Sequence, residues 1–505
     1  MDGSLNTTGA TASSAVGSPP AAPQNDPSVK KLFLRGSAWA VAQYGSGQLI
    51  RLGSNLILWR LLFPDAFGLM AIVNTFIVGL AMFSDIGIGQ NVIRHERGDD
   101  PDFLNTIWTI QVVRGLILAG IATLAAVPIA HFYHQPELSH LMPPVALGVA
   151  LAAFNSTNIF SANRHMALGR ITIIDTISQV GSLAAMNVWA YLSHSVQALA
   201  GGAAIGAAIK LILSHVALPG IRNRFHWEKT TLQEVSHFGR WIFVSTLLTF
   251  LASSSDRLIF GKLVSIEMLG IYSIAVVWAT IPSYTVGHVV ATVLFPLFSR
   301  VKGSALVRTF KDLRGTVLIA AAWLVACLIA GGPMLIRFLY DRRATAAGPL
   351  VQVLAIGTWF TTLEGANAAA ILSLGKPKWL AFGNGAKLAA MVVLIPIFAK
   401  FFGFQMTVLA FSLTELARYV VSARACTLVG LSPIRQDAFL SGGIGLTAFL
   451  GLGLSKVYER ARLPITSTHL DAFVEGAAIF LLVTAIWLGA FLMRRRGQRL
   501  HPPVP

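Results

Sequence analysis

The chain carries one residue pattern twice. The stretch from Trp39 to Gly68 returns, shifted by 202 positions, as the stretch from Trp241 to Gly270. In the first copy an apolar run ends on Arg60-Leu61, followed by Asp65 and Gly68-Leu69. In the second it ends on Lys262-Leu263, followed by Glu267 and Gly270-Ile271. Each copy is thus a long apolar run, a cation, a short acidic connector and a glycine opening the next apolar run. A duplicated bundle of membrane helices, its halves related by a pseudo-twofold axis, is how many transporters are built.

Composition supports a membrane-embedded repeat. The 505 residues have a mean hydropathy of +0.66, with 54% hydrophobic and only 12% charged residues, about half the charged fraction of a soluble domain. Runs of about 20 apolar residues, enough to cross a bilayer, recur along nearly the whole chain. No stretch between them is long enough for a soluble domain. The formal charge of +17 lies between the apolar runs and not in one soluble patch, which excludes nucleic acid as the partner and fits cytoplasmic loops held by Lys and Arg. Cys327 and Cys426 both sit in apolar runs and read as packing residues.

Helices are expected at 36–62, 66–87, 106–131, 141–161, 171–192, 196–218, 238–261, 268–297, 312–332, 349–373, 379–400, 404–427, 437–456 and 471–493. This gives an all-α polytopic membrane protein of about fourteen spans, with two pseudo-symmetric six-helix lobes and two C-terminal helices. The expected divisions are a disordered cytoplasmic tail at 1–29, an N-terminal lobe at 30–220, a basic linker at 221–236, a C-terminal lobe at 237–430, an extra helix pair at 431–493 and a basic tail at 494–505. Six helices per unit is an even number, so the two lobes enter the membrane alike and the axis runs along the membrane normal. Even-numbered connections are rich in cations, among them Arg164, Arg170, Arg222, Arg224, Arg308 and Arg314; the connections at 131–140 and near His194 contain no Lys or Arg. The groups Arg337, Arg342, Arg343 and Lys456, Arg460, Arg462 break the trend. The weight places both termini in the cytoplasm.

Four stretches carry a family likeness: "LILWRLLFPDAFGLMAIV" followed by "FSDIGIGQNVIR"; "SSSDRLIFGKLVSIEMLGIYSIA"; "LIRFLYDRRATAAGPLVQVLAIGTWF"; and "LSLGKPKWLAFGNGAKL". Through them the chain resembles the polysaccharide-transporter family, the Wzx-type flippases of the multidrug/oligosaccharidyl-lipid/polysaccharide exporter superfamily. The likeness spans helices one to twelve and rests on hydrophobic pattern and a few polar positions. It implies two lobes around a central cavity. It also implies alternating-access transfer of a polyprenyl-diphosphate-linked oligosaccharide repeat across a bacterial inner membrane, for exopolysaccharide, capsule or O-antigen synthesis. Membrane lipids, a polysaccharide polymerase and a chain-length regulator are the partners that setting implies. No stretch is diagnostic of one sugar.

The residues give their own reason to look inside the bundle. An ionisable group at mid-bilayer depth costs about 2.5–3.5 kcal/mol, so it faces a cavity or a partner. Arg51, Arg114, Lys210, Arg257 and Lys387 lie within apolar runs and are the candidates for a cationic cavity, Arg51 first, because guanidinium suits phosphate oxygens. The alternative for each is snorkelling or a structural pair. Glu364, Asp256 and Glu415 are candidates for proton or sodium coupling; Asp85 reads as structural, Asp175 as a helix N-terminal charge, and Arg418 as a partner of Glu415.

Catalysis finds no foothold. The chain has no Gly-x4-Gly-Lys-Ser/Thr loop and no Gly-x-Ser-x-Gly elbow, so neither enzyme chemistry nor a cofactor is expected beyond a coupling proton or sodium ion. His131, His134 and His140 read as interfacial, not as metal ligands. Trp39, Trp59, Trp108, Trp189, Trp241 and Trp379 read as an interfacial belt, Gly202 and Gly206 as a close-packing pair, and Pro128, Pro282 and Pro396 as sites of helix bending. The rival functions are a drug or metabolite exporter of the same superfamily, a lipid II flippase, and a membrane-embedded polysaccharide polymerase or glycosyltransferase, which would need a long exterior loop with a catalytic cluster.

Overall fold

A computed structural model describes residue 45, residues 47–83, single positions at 89, 92 and 95, residues 97–460 except 166, and residues 468–500. The expectations placed on the tail at 1–29 and on Trp39, Asp85 and Arg462 lie outside these residues. The described residues from 47 onward form one compact unit. It is helical, without a strand among the described residues.

In chain order the helices are α1 (47–61), α2 (Pro64–Phe83), α3 (Pro101–Tyr133), α4 (Glu137–Ala153, continued at 59° by Asn158–Arg164), α5 (Leu168–Ser193), α6 (Gln197–Val216) and α7 (Lys229–Leu263). They continue with α8 (Ile266–Arg300), α9 (Gly303–Leu339), α10 (Ala347–Ser373), α11 (Lys378–Phe401), α12 (Gly403–Leu428), α13 (Ile434–Arg460) and α14 (Thr468–Leu500). Ten of them are long and apolar enough to cross a membrane, eleven with the bent α4 pair. Among the described residues, length and hydropathy thus count fewer spans than the expected fourteen: α1, of which only 47–61 are described, α7 and α10 are not among those counted. In α10 the reason is visible in Glu364, Asn367, Gln352 and a run of threonines.

The three prolines differ in their setting. Pro282 sits at a break in α8, whose first segment ends at Ala279, and a π-turn follows at Val290–Leu294. Pro128 and Pro396 lie inside unbroken helices. A second π-turn, Phe310–Arg314, lies near the start of α9. Such a turn shifts the register and re-aims its side chains. Arg314, expected in a loop, is accordingly inside the bundle with no exposed surface. It holds Asp437 of α13 through both nitrogens (2.7 and 2.9 Å), and Tyr419 donates to the same carboxylate at 2.8 Å. This pair anchors α13, and α14 also packs along α9.

Within the first lobe α3 packs on α4, α5 on α6 and α4 on α6; within the second, α9 on α10, α10 on α12 and α11 on α12. Gly202 and Gly206 allow the α5–α6 approach: a Cβ at either would collide with Met186 or Ser182. The segment joining the lobes is a strap. Arg224 N–H donates to Asn105 Oδ1 (3.0 Å), His226 N–H to Thr109 Oγ1 (3.0 Å), and Arg97 grips Glu228 with two bonds of 3.0 Å. Helix α7 starts at the next residue, Lys229, so the non-helical joint is shorter than the expected 221–236.

The lobes meet at α2 and α8, at the end of the bundle that carries the odd-numbered connections. Gly68 and Gly270, the duplicated glycines, face each other there. A Cβ on Gly68 would overlap the carbonyl of Ile266 and lie 3.1 Å from Gly270 N; a Cβ on Gly270 would overlap the carbonyl of Pro64 and lie 3.2 Å from Gly68 N. Pro64 and Ile266 are themselves equivalent positions of the repeat. The reciprocity puts the pseudo-twofold axis between the two glycines. Around them Trp59, Leu62, Ile72, Tyr272, Ile336 and Tyr340 form a buried apolar plug.

Polar contacts between the lobes cluster at the same end. Arg343, in the α9–α10 connection, donates to Trp59 O (3.0 Å) and Leu62 O (3.2 Å), the unpaired carbonyls where α1 finishes. It also grips Asp341 (2.6 and 2.9 Å), which accepts from Trp59 Nε1 at 3.2 Å. Tyr133 donates to Leu258 O (3.2 Å), and Lys262 to Phe132 O. Trp59 thus departs from the expected interfacial belt, being fully buried in this closure, and Trp108 is buried as well with its N–H on Phe154 O (3.3 Å).

Candidate functional site

Beneath the plug the lobes line a cavity of about 520 Å³ that is open on one side. Its walls follow helical periodicity, since residues three, four and seven apart share a helix face. Helix α1 contributes Arg51, Ser54, Asn55 and Leu58; α2 contributes Phe67, Met70, Ala71 and Asn74. Across from them stand Arg257 of α7 and Ser273, Val276 and Val277 of α8. Arg51 lies about 15 Å along its helix from the closed end, and Asn55 and Arg257 about 9 Å.

Two of the five candidate cations are therefore brought together, one from each lobe. Neither Arg51, which is exposed to the cavity, nor Arg257, which is half-buried, makes a hydrogen bond or ion pair with any described residue. No carboxylate lines the cavity among the described residues. Two guanidinium groups on one cavity wall, with no ion-pair partner among the described residues, create a demand for an anion.

The other three candidate cations are elsewhere. Arg114 reaches across to Ala81 O of α2 (3.3 Å) and is not on the cavity wall. Lys210 pairs with Asp175 at 2.7 Å, joining α6 to α5; Asp175 lies in the second turn of α5 and serves as that partner instead of a helix-end charge. Lys387 is buried in the second lobe and pairs with Glu415 at 2.5 Å. A burial cost that points to a partner or a cavity was met by a partner in these cases.

The coupling candidates also separate. Glu364 is bound by Arg418 at 2.8 Å, and Arg418 stands 3.7 Å from Glu415. Lys387, Glu415, Arg418 and Glu364 thus form a charge-balanced chain across α10, α11 and α12. Asp256, the neighbour of Arg257, points into its own lobe: it is buried, accepts from Tyr272 Oη at 2.7 Å, and its other oxygen has no partner. Among the described residues no group of His, Cys, Asp and Glu could hold a metal ion.

Residues 57–349, more than half of the chain, match the family described as "Polysaccharide biosynthesis protein". The chain belongs to this family. The resemblance drawn from the four loose motifs holds. The chain is 22% identical to the teichuronic acid biosynthesis protein TuaB of Bacillus subtilis (strain 168) over 356 residues, 69% of this chain and 73% of that protein. It is 22% identical to the putative O-antigen transporter of Shigella flexneri over 399 residues, 74% of this chain and 92% of that protein. In fold it is similar to the lipid II flippase MurJ in an inward closed conformation, with a TM-score of 0.68 at 12% identity, over 89% of this chain and 99% of that one. This member of the polysaccharide biosynthesis family is thus a multi-pass helical membrane protein with a transporter fold.

Three features of the site were not singled out from the sequence. Asn55 and Asn74 line the cavity with amides that bond no described residue. The Asp341–Arg343 closure came from a loop that stood out as part of a family motif and as an exception to the charge trend, with no role assigned to it. A usable signal existed for Asn55, which is the repeat equivalent of Arg257.

Proposed function

We propose that the protein carries a polyprenyl-diphosphate-linked oligosaccharide repeat across a bacterial inner membrane by alternating access, for exopolysaccharide, capsule or O-antigen synthesis. The observation that carries this reading is the pair of arginines without a described partner, one per lobe, on one cavity wall. Guanidinium donates two parallel hydrogen bonds to phosphate oxygens, and a diphosphate held by both lobes would link their movement. A cationic drug would be repelled by the same wall, which disfavours the exporter reading.

The distribution of loop cations puts both termini in the cytoplasm. The sealed end then faces outward, and the cavity receives its ligand from the inner leaflet. Opening the outer end requires Arg343 to release the α1 carbonyls and α2 to part from α8. Asp256, with one oxygen free beside Arg257, is the carboxylate best placed to take up a coupling proton or sodium ion. A polymerase and a chain-length regulator would act on the delivered repeat.

The test is lipid-linked repeat transfer in reconstituted vesicles and surface polysaccharide in cells. Arg51→Ala and Arg257→Ala should each weaken ligand binding about ten- to hundredfold, as expected for charged hydrogen bonds of about 1.5–3 kcal/mol. Arg51→Lys should recover part of the loss. Undiminished transfer by the double Arg51→Ala/Arg257→Ala protein, at normal protein level, would overturn the proposal.

A further inference from the structure

The two walls of the cavity are built on equivalent halves of the repeat, yet they differ at each polar position. Arg51 corresponds to Ser253, Asn55 to Arg257, Ala71 to Ser273 and Asn74 to Val276. Arg51/Ser253 and Asn55/Arg257 are polar in both copies, with the charge and the neutral group exchanged, whereas Asn74 is polar in the first copy only. Val276 occupies in the second lobe the place that Asn74 holds in the first, so the helix packing itself makes no demand for an amide. Neither Asn55 nor Asn74 bonds a described residue, although Asn55 is half-buried and Asn74 opens onto the cavity. Both amides are thus accessible on the cavity wall and available to hydroxyl or amide groups of a ligand.

The charges narrow that ligand further. A sugar joined to a lipid through a diphosphate has one negative charge on each phosphate, and the cavity offers one unpaired guanidinium from each lobe. Once both are engaged, no cation on this wall remains for a carboxylate on the adjoining sugar. Asn55 is one helical turn from Arg51 on the same face of α1, so a group bound at Arg51 brings its neighbour against the amide.

Resting on the function proposed above, we infer that Asn55 and Asn74 are the residues that read the sugar next to the diphosphate. That sugar is uncharged, a hexose or N-acetylhexosamine presenting hydroxyl or acetamido groups. An amide both donates and accepts, which suits vicinal hydroxyls.

The experiment uses the full chain in lipid nanodiscs and three short prenyl-diphosphate diesters, capped with glucose, glucuronic acid or methyl. The wild type should bind the glucose ligand at least about tenfold more tightly than the other two, at about fivefold per hydrogen bond gained. In the Asn55→Ala/Asn74→Ala protein the glucose-to-methyl affinity ratio should fall to about one. Its melting temperature should stay at the wild-type value, because the amides hold no protein group. A wild type that binds the methyl ligand but does not prefer glucose over it, or prefers glucuronic acid, overturns this inference alone. A double variant that keeps the wild-type ratio also overturns it, as does one that loses stability together with all binding. A wild type that binds none of the diphosphates overturns the proposed function as well.

Discussion

Replacing Gly68 by Ala should drive the protein away from the closed arrangement of its odd-connection end. The added Cβ would overlap the Ile266 carbonyl and press on Gly270 N at 3.1 Å. Both belong to backbone of the opposite lobe, which cannot rotate aside as a side chain can. Relief requires the lobes to part by about 1 Å, enough to forfeit much of the dispersion contact in the plug. Overpacking of this kind costs about 1–3 kcal/mol, and only the closed state bears it, so its population against the opened one should drop by about 5- to 150-fold. Gly270→Ala should act alike by the repeat symmetry. Spin labels on cysteines at Glu137 and Thr345, with Cys327→Ala and Cys426→Ala in the background, would report the separation across this end as a distance distribution. A longer component should appear in either variant and dominate in the double one. Unchanged distributions in a well-folded double variant would refute the claim that the glycine crossing sets the closure.

Two further outcomes follow from the packing. Asp437→Ala leaves Arg314 buried without its partner, and breaking such a pair costs about 3–5 kcal/mol; detergent-solubilised protein should melt earlier, while Arg314→Met/Asp437→Leu should recover most of the loss. In the closure, burial pushes the Asp341 carboxyl up, but Arg343 and Trp59 outweigh it and hold the group below its usual range. Its ionised form is therefore favoured by the folded closure, a contribution present above the unfolded value and lost only as pH falls through the depressed one. The spin-label distances should thus stay constant between about pH 5 and pH 8 and lengthen only in stronger acid.

Much of this architecture could be read from the residues because the repeat is local in pattern. Helix order, the Gly68–Gly270 correspondence and the two arginines of the cavity all follow from periodicity and from charge placed inside apolar runs. Lys210 and Lys387 looked the same as Arg51 by that measure. What separates them is a partner on another helix, Asp175 or Glu415, and a partner across space leaves no mark on spacing. Arg314 was assigned to a loop by counting cations, whereas the π-turn at Phe310–Arg314 rotates it inward. Asn55 escaped notice because an amide carries no charge to flag it. Glu364 and Glu415, read as candidates for ion coupling, are paired with Arg418 and Lys387, partners that spacing alone does not show.

The strap between the lobes has a consequence for how the halves can be exchanged or evolve. Because Arg224, His226 and Glu228 are fastened to the first lobe and α7 begins at Lys229, the tether has no slack. Rocking must be absorbed by the first turns of α7 itself, and a chimera that joins lobes of two relatives must cut there. A junction placed upstream would sever the fastening and leave the second lobe swinging on a loose cord.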